Sequence, residues 1–392
     1  MSTQIAGRRK ADVPDQALKW LDGRRWLLVA FGLFGALMLL LLVTAETGAG
    51  ALANPTVAPD ATSYVLNGVS YPIHHYNGGL RANEPLLGWT GWAYLWQAIG
   101  FGGGAAILGY YGYRSWRSRS MHPMLAVSFA AGGMFAFDPF YNWLGYFPTN
   151  PAFLHIPHGA LPWSDLAPTF EPVFFFPLYI VWLVIPALIA HGLWKRLKAR
   201  GFAKRGATAF MTRHPLLALI IVCKCVTFPL DLAGFRMGCV TEAFIFTQAP
   251  GPLIAGGSTG QAQWLWEPLL FELTMMGTCL LLYHGKDGLT FTERWAPRLR
   301  SFGRFPYATQ FAVAWVAIGV TYVACLVGMG ALRFTGQVDR IGSPWPYVDT
   351  IAYDPDKLYQ QELCLPAEAT REGSANWNGI RPEPSADAPC RH

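Results

Sequence analysis

Residues Met134–Phe147 read MFAFDPFYNWLGYF, an apolar and aromatic stretch that nevertheless contains an acid, Asp138, and an amide, Asn142. The two polar residues are four positions apart, so a helix places them on one face, one turn apart. A charged side chain at membrane depth costs about 2.5–3.5 kcal/mol and usually faces polar partners. If this stretch crosses a bilayer, Asp138 is therefore expected to face inward, toward other polar groups.

The composition of the whole chain indicates a membrane protein. Of its 392 residues, 52% are hydrophobic and 14% are charged, whereas soluble proteins have about 25% charged residues. Seven apolar runs approach the length of about 20 residues that crosses a bilayer, and in hydrocarbon such runs must be helical. We predict an all-α polytopic fold with about seven transmembrane helices, at Trp26–Ala45, Trp89–Tyr111, Pro123–Trp143, Val173–Trp194, Pro215–Phe235, Trp266–Tyr283 and Phe311–Leu332.

The distribution of Lys and Arg predicts the orientation. The N-terminal segment and the second, fourth and sixth connections carry 6, 3, 7 and 5 basic residues, which is 21 of the 30 in the chain. Connections rich in Lys and Arg stay in the cytoplasm. We therefore expect a multi-pass protein of the inner (plasma) membrane with a cytoplasmic N-terminus and an extracytoplasmic C-terminus. The net charge of +6 then reflects topology, and no nucleic-acid partner is expected.

The chain divides into a cytoplasmic leader (1–25), a membrane domain (26–333) and an extracytoplasmic tail rich in Pro and acidic residues (334–392). GALANP at Gly50–Pro55 resembles a signal-peptidase site, so the first span is either a retained anchor or a cleaved signal. The loop Phe147–Pro172 holds six prolines and many aromatic residues. It either folds down as a cap over the helix ends or packs at the lipid headgroups.

Carboxylates from several helices lie at similar depth. At 1.5 Å per residue, Asp138 and Asp231 lie about 22 and 24 Å along the third and fifth helices, in the outer third of the bilayer. Glu171 precedes the fourth helix, and Glu267 opens the sixth. This agreement indicates a shared polar chamber, since intramembrane acids usually serve a function.

A purely structural interpretation stays open for each acid. Glu171 and Glu267 lie at the interface, where solvated carboxylates are ordinary. Asp231 could join helices through Lys224 or Arg236, and Glu272 could play the same role.

The histidines and cysteines give weaker indications. His155 and His158, with His74 and His75, have only weak metal-site spacing, and we expect neither a metal nor another cofactor. The cysteines within spans are expected to be small packing residues, namely Cys223, Cys225, Cys279 and Cys325. A Cys364–Cys390 disulfide in the tail is possible.

The order of several motifs along the chain resembles that of a known family. DPFYN in the third helix is followed by Asn150, by Pro162-Trp163 and by Glu171-Pro172. An aspartate late in the fifth helix, Asp231, and the run GQAQWLWEPLLFE (Gly260–Glu272) complete the order. From Trp89 to Leu332 the chain resembles the AveC-like spirocyclases, actinobacterial membrane proteins similar to the enzyme that forms the spiroketal of avermectin-type polyketides. It departs from the family pattern at Phe235, where an acid often occurs.

The resemblance implies a cyclase or dehydratase for a hydrophobic, hydroxylated, polyketide- or lipid-like substrate. Spiroketal formation requires a proton donor and an anion near an oxocarbenium ion, which paired carboxyls supply in glycoside hydrolysis. Asp138 and Asp231 are the candidate pair, and Glu171 and Glu267 are further catalytic candidates that gate or orient. The candidate substrate-binding residues are Asn142, Asn150, Trp163, Arg236, Gln261 and Glu272.

Two other classes remain open from the residues alone. The acids could bind a cation or proton and couple it to solute movement in a transporter, for which discontinuous helices would be supporting evidence. A scaffold subunit of a membrane complex is the third class. The expected partners are the bilayer and a hydrophobic small molecule, and the sequence identifies no protein partner.

Overall fold

A computed structural model gives the architecture of the chain. It describes residues 23–47, 63–66, 69–72, 86–89, 91–145, 147, 149–150, 152–157, 160, 163–164, 171–199, 213–241, 243–244, 246, 248–249, 252–255, 263–285, 288–299, 306–334 and 339–340. Most of the predicted leader and nearly all of the predicted tail, with Cys364 and Cys390, lie outside the described residues.

The described chain is mostly helical, and every predicted span forms a helix or a run of helices. The helices are α1 (Gly23–Thr44), α2 (Trp92–Ser118), α3 (Pro123–Gly132), α4 (Asp138–Leu144), α5 (Phe175–Ala199), α6 (Pro215–Val240), α7 (Trp266–Leu281), α8 (Phe291–Trp295) and α9 (Pro306–Arg333). Strands are short antiparallel pairs: β1 (Ser63–Leu66) with β2 (Val69–Pro72), β3 (His155–Ile156) with β4 (Glu171–Pro172), β5 (Gln248–Ala249) with β8 (Asp339–Arg340), and β6 (Leu253–Ala255) with β7 (Gln263–Trp264).

Five described helical stretches are long and apolar enough to cross a membrane. They are Arg24–Thr44, Pro123–Leu144, Phe175–Lys198, Pro215–Val240 and Tyr307–Leu332. Of the other two predicted spans, α2 has 27 residues but is less apolar, and α7 has only 16 residues. The number of crossings and the orientation remain predictions.

The third predicted span is not one continuous α-helix. A 3₁₀ segment, Gly133–Phe137, separates α3 from α4, and the backbone N–H of Asp138 donates to the carbonyl of Phe135 in the tighter 3₁₀ pattern. Pro139 explains the change, because it has no N–H and its ring disfavours an α-helical bond to the preceding turn. Asp138 is therefore the first residue of a new helix at the interruption.

Helix α5 occupies the middle of the bundle. It packs against α2, α3, α6 and α7. Close approach to α2 depends on glycines of that helix. A Cβ at Gly100 would lie 2.7 Å from the ring of Phe174, and one at Gly104 would lie 2.7 Å from Pro177.

Two of the span cysteines have a different role from the one predicted. Cys223 of α6 and Cys279 of α7 form a disulfide between neighbouring helices, so the expectation that both are only packing residues was wrong. Residue spacing could not predict this disulfide, because the two cysteines are 56 residues apart. Cys239 and Cys325 are free and buried, and Cys225 is free and exposed.

The described part of the loop after α4 folds back over the helix ends. Phe147, Phe153 and Ile156 are buried, and β3 of this loop pairs with β4, just before α5. His155 also forms a bridge to Glu46, which follows α1. This arrangement agrees with the cap that the loop composition suggested, and the cap is what brings Glu171 to the bundle.

Candidate functional site

Asp138 lies buried at the interruption of the third span, with only 2% of its surface exposed. Its Oδ1 accepts a hydrogen bond from the hydroxyl of Tyr179 on α5, and its Oδ2 accepts one from Nδ2 of Asn142 at 3.0 Å. The Tyr179 hydroxyl lies 2.7 Å from that of Tyr322 on α9. The carboxyl therefore has polar partners on two helices, as its position in an apolar stretch required.

Glu171 is joined to Asp138 through the same amide. Nδ2 of Asn142 also donates to Oε1 of Glu171 at 2.9 Å, so one side chain connects both carboxyls. Burial raises the pKa of Glu171 well above its ordinary value, and repulsion by Asp138 raises it further. We call Asp138 and Glu171 the outer carboxyl pair, and Asn142 is its bridging amide.

Asp231 and Glu267 form a second acidic group. Both are fully buried, and the charge of Asp231 acts on Glu267 across the contact between α6 and α7. Oδ1 of Asp231 accepts from the Trp182 indole at 2.9 Å, and Oε1 of Glu267 accepts from the Tyr141 hydroxyl. Asp138 is thus joined to Glu171 through Asn142, and Asp231 acts on Glu267, whereas the sequence suggested that the two aspartates pair with each other.

Glu272 has a different environment. Its Oε1 accepts from the ammonium group of Lys224, so Lys224 is paired with Glu272 rather than with Asp231. This is the helix-joining arrangement that the sequence left open for Glu272.

An aromatic cavity of about 60 Å³ lies beside both acidic groups. Asp138 and Asn142 of the outer pair line it directly. Trp182 and Tyr141, which hold Asp231 and Glu267, line it too. Its other lining residues are Trp96, Phe147, Phe175, Leu178, Tyr179, Phe235, Phe244 and Phe271. Its size suits a few water molecules or the reacting end of a ligand.

A second cavity, of about 270 Å³, is lined by Glu171 of the outer carboxyl pair. We call it the α1 cavity, because Leu37 and Leu41 of α1 form one wall. The interrupted third span forms another wall, and Glu171 and Trp163 also line the cavity.

The remaining candidates from the sequence are dispersed. Trp163 donates its indole N–H to the carbonyl of Ala136 at 2.7 Å, and thus covers the α1 cavity. Asn150 accepts from the backbone of Ala152 at 2.9 Å in the loop, and Arg236 is half-buried near the end of α6. Neither contributes to the described walls of the two cavities, and Gln261 lies outside the described residues.

Sequence reasoning missed the aromatic donors, which are Tyr141, Tyr179, Trp182 and Tyr322. Each has a polar atom in the middle of an apolar helix, and a buried Tyr or Trp usually finds a hydrogen-bond partner. Tyr141 lies within the DPFYN motif itself and was the easiest to find. Tyr179 and Tyr322 needed the fold, because their partners come from distant helices.

Metal binding finds little support in the described chain. No three described His, Cys, Asp or Glu side chains are grouped as metal ligands would be. His155 lies against the Phe153 carbonyl and 3.7 Å from Glu46, whereas His74, His75 and His158 lie outside the described residues. That no cofactor is used therefore stays a prediction.

Comparison with known proteins bears on the family. No curated protein matches the chain, and no solved structure matches it. A family model described as "Spirocyclase AveC-like" matches residues 116–353. The match begins after the predicted start at Trp89 and continues into the tail, which we had expected to lie outside the resemblance. It contains both acidic groups and covers more than half of the 392 residues, and the chain therefore belongs to the AveC-like spirocyclase family.

Proposed function

We propose that this protein is a membrane cyclase that converts a hydrophobic dihydroxyketone into a spiroketal, using the outer carboxyl pair as acid and base. Family membership and the apolar helices support a membrane cyclase in general. The single observation that carries the chemistry is the position of Asp138. It is a buried acid facing a cavity otherwise lined almost entirely by aromatic rings, with a second acid one amide away.

The reaction begins with the cyclic hemiketal that forms when one hydroxyl adds to the ketone. A carboxyl proton passes to the hemiketal hydroxyl, the C–O bond breaks, and water leaves. The resulting oxocarbenium ion is attacked by the second hydroxyl, which forms the new C–O bond. The proton of that hydroxyl passes to the carboxylate, so the net change is loss of one water molecule.

The two carboxyls have different environments, which suggests their roles. Glu171 holds its proton more firmly because of burial and the neighbouring Asp138, so it is the proton source. Asp138 accepts hydrogen bonds from Tyr179 and Asn142, which hold its carboxyl beside the aromatic cavity. Its carboxylate faces the cavity, receives the proton from Glu171 and passes it to the substrate.

The aromatic walls suit the charge that develops. The face of an aromatic ring attracts a cation by about 2 kcal/mol when water is excluded. Positive charge on the oxocarbenium carbon would lie among Phe235, Phe271 and Trp182, next to the Asp138 carboxylate. A positioned acid–base group typically contributes about 10²–10⁴-fold in rate.

The test uses a synthetic ketone with one hydroxyl four carbons away on each side, which closes to a spiroketal with two six-membered rings. Because the uncatalysed product is racemic, chiral gas chromatography separates the enzymatic reaction from the background. We expect Asp138→Asn in nanodiscs to lose at least about 100-fold in enantioselective rate, with unchanged abundance. Glu46→Gln is the matched control, because it changes a carboxyl that lines neither described cavity. Normal selective turnover in both Asp138→Asn and Glu171→Gln would refute the assignment.

A proton- or ion-coupled transporter is the second candidate, and the interrupted third span favours it. Transporters often build their sites from discontinuous helices, and 3₁₀ segments within helices often mark hinges. If transport is the function, Asp138→Asn will abolish solute flux into proteoliposomes, while mass spectrometry detects no new product from the wild type.

A further inference from the structure

We propose that the α1 cavity binds the apolar chain of a hydroxylated ligand that arrives sideways from the bilayer, with the ligand hydroxyl against Oε2 of Glu171. The ligand class rests on the proposed function. The site itself rests on four separate observations of geometry.

The first observation is the way the cavity meets the outside of the bundle. Leu41 of α1 is 2% exposed, and Leu37, on the same wall, is 41% exposed. The outer face of α1 presents large aliphatic side chains such as Leu33 and Leu40, as a helix in contact with lipid does. An apolar chain passing along α1 therefore reaches the cavity without crossing water.

The second observation is an unsatisfied acceptor on Glu171, which lines the cavity. Glu171 is 2% exposed, and its Oε2 has no hydrogen-bond donor among the described residues. A buried polar atom without a partner is costly. A ligand hydroxyl beside Oε2 can donate to the carboxylate or accept from the protonated carboxyl.

The third observation concerns Trp163, which lines the α1 cavity. Trp163 is 46% exposed, and its φ of 52° lies in the left-handed region that bulky residues rarely adopt. Its indole is held by the carbonyl of Ala136. Three residues further on, Pro139 has no N–H to offer this carbonyl, so the interrupted helix supplies the acceptor that fixes the Trp163 ring over the cavity.

The fourth observation connects the site with the reaction. Glu171 lines the α1 cavity and Asp138 lines the aromatic cavity, and Asn142 donates to both. A hydroxyl held by Glu171 would lie next to the carboxyl pair. Together the two cavities separate the apolar tail of the ligand from its reacting end.

The experiment is photolabelling in nanodiscs, with a long-chain primary alcohol that carries a diazirine near its methyl end. The same chain without the hydroxyl is the comparison probe. We expect peptide mapping to place the alcohol label on the α1 segment around Leu37, with the hydrocarbon probe labelling this segment about tenfold less.

Two variants and a matched control make the test specific. Leu41→Trp fills the cavity and Glu171→Leu removes the carboxyl, so each should lower labelling by the alcohol about tenfold. Leu33→Trp adds the same bulk to the outer face of α1 and should leave labelling unchanged. Equal labelling by both probes would mean that lipid merely fills the cavity, and it would overturn the proposal. So would full labelling of Leu41→Trp in protein of normal abundance.

Labelling does not require turnover, so each of the two proposals can be refuted without refuting the other. Specific labelling without any spiroketal product would leave the binding site and remove the cyclase assignment. Selective product formation without specific labelling would leave the cyclase and remove this site.

Discussion

At the scale of single residues, the bridging amide explains how an apolar stretch accommodates an acid. A charge at membrane depth costs about 2.5–3.5 kcal/mol, and a hydrogen bond to a charged group contributes about 1.5–3 kcal/mol. Asp138 accepts two such bonds, from Tyr179 and Asn142, which together offset the cost. Asn142 has two N–H donors and gives one to each carboxyl, and an aspartate at that position has none to give when charged.

The raised pKa of Glu171 predicts the direction of a pH profile. Because burial and Asp138 both raise this pKa, Glu171 keeps its proton at higher pH than an ordinary glutamate. If Glu171 is the proton source, the rate will be highest below its pKa and will fall as pH rises through it. After subtraction of the uncatalysed rate, spiroketal formation should show this falling limb in the wild type. Glu171→Gln should be slower and lack the limb, and an unchanged limb in that variant would assign the proton to another group.

At the scale of elements, the helices around the site approach each other closely where one of them has a glycine. A Cβ at Gly133, in the 3₁₀ segment, would lie 2.8 Å from the Trp315 indole of α9. One at Gly234 of α6 would lie 1.9 Å from the Trp182 ring, which holds Asp231. The second acidic group therefore depends on the close approach of α5 and α6.

Gly234→Ala is expected to destabilise the protein by about 1–3 kcal/mol, the usual cost of overpacking, and to displace the Trp182 ring. Gly319→Ala is the matched control on α9, because a Cβ there meets nothing within 4 Å. The free energy of unfolding of that variant should rise by up to about 1 kcal/mol, because alanine has a higher helix propensity than glycine. Denaturant unfolding in detergent micelles measures both changes, and equal stability of the two variants would contradict the contact.

At the scale of the whole molecule, charge asymmetry predicts which ends face the cytoplasm. Alkaline phosphatase is active only outside the cytoplasm, so a fusion after His392 should be active and one after Arg205 inactive. A fluorescent protein that matures only in the cytoplasm should give the opposite pattern at both positions. Reversed activities would mean that the orientation is opposite to the predicted one and that the carboxyl pairs lie nearer the cytoplasmic face.

The sequence alone determined the helical segments and the family. Apolar runs of membrane length must satisfy their own backbone groups, so helices were the required solution wherever such runs occurred. The motifs around Asp138, Asp231 and Glu267 indicated the family that the comparison then confirmed. The first signal can be read within one segment, and the second is the order of short motifs along the chain, so neither requires knowledge of which helices contact each other.

Only the tertiary structure decided which groups meet. Asn142 and Glu171 are 29 residues apart and come together because the loop after α4 folds back over the bundle. Whether Asp138 faces Glu171 or Asp231, and whether Cys223 meets Cys279, depends on the rotation and packing of whole helices. Residue spacing fixes the face of one helix but not the neighbour that the face contacts, because that choice is made by the side chains of all the helices packed together.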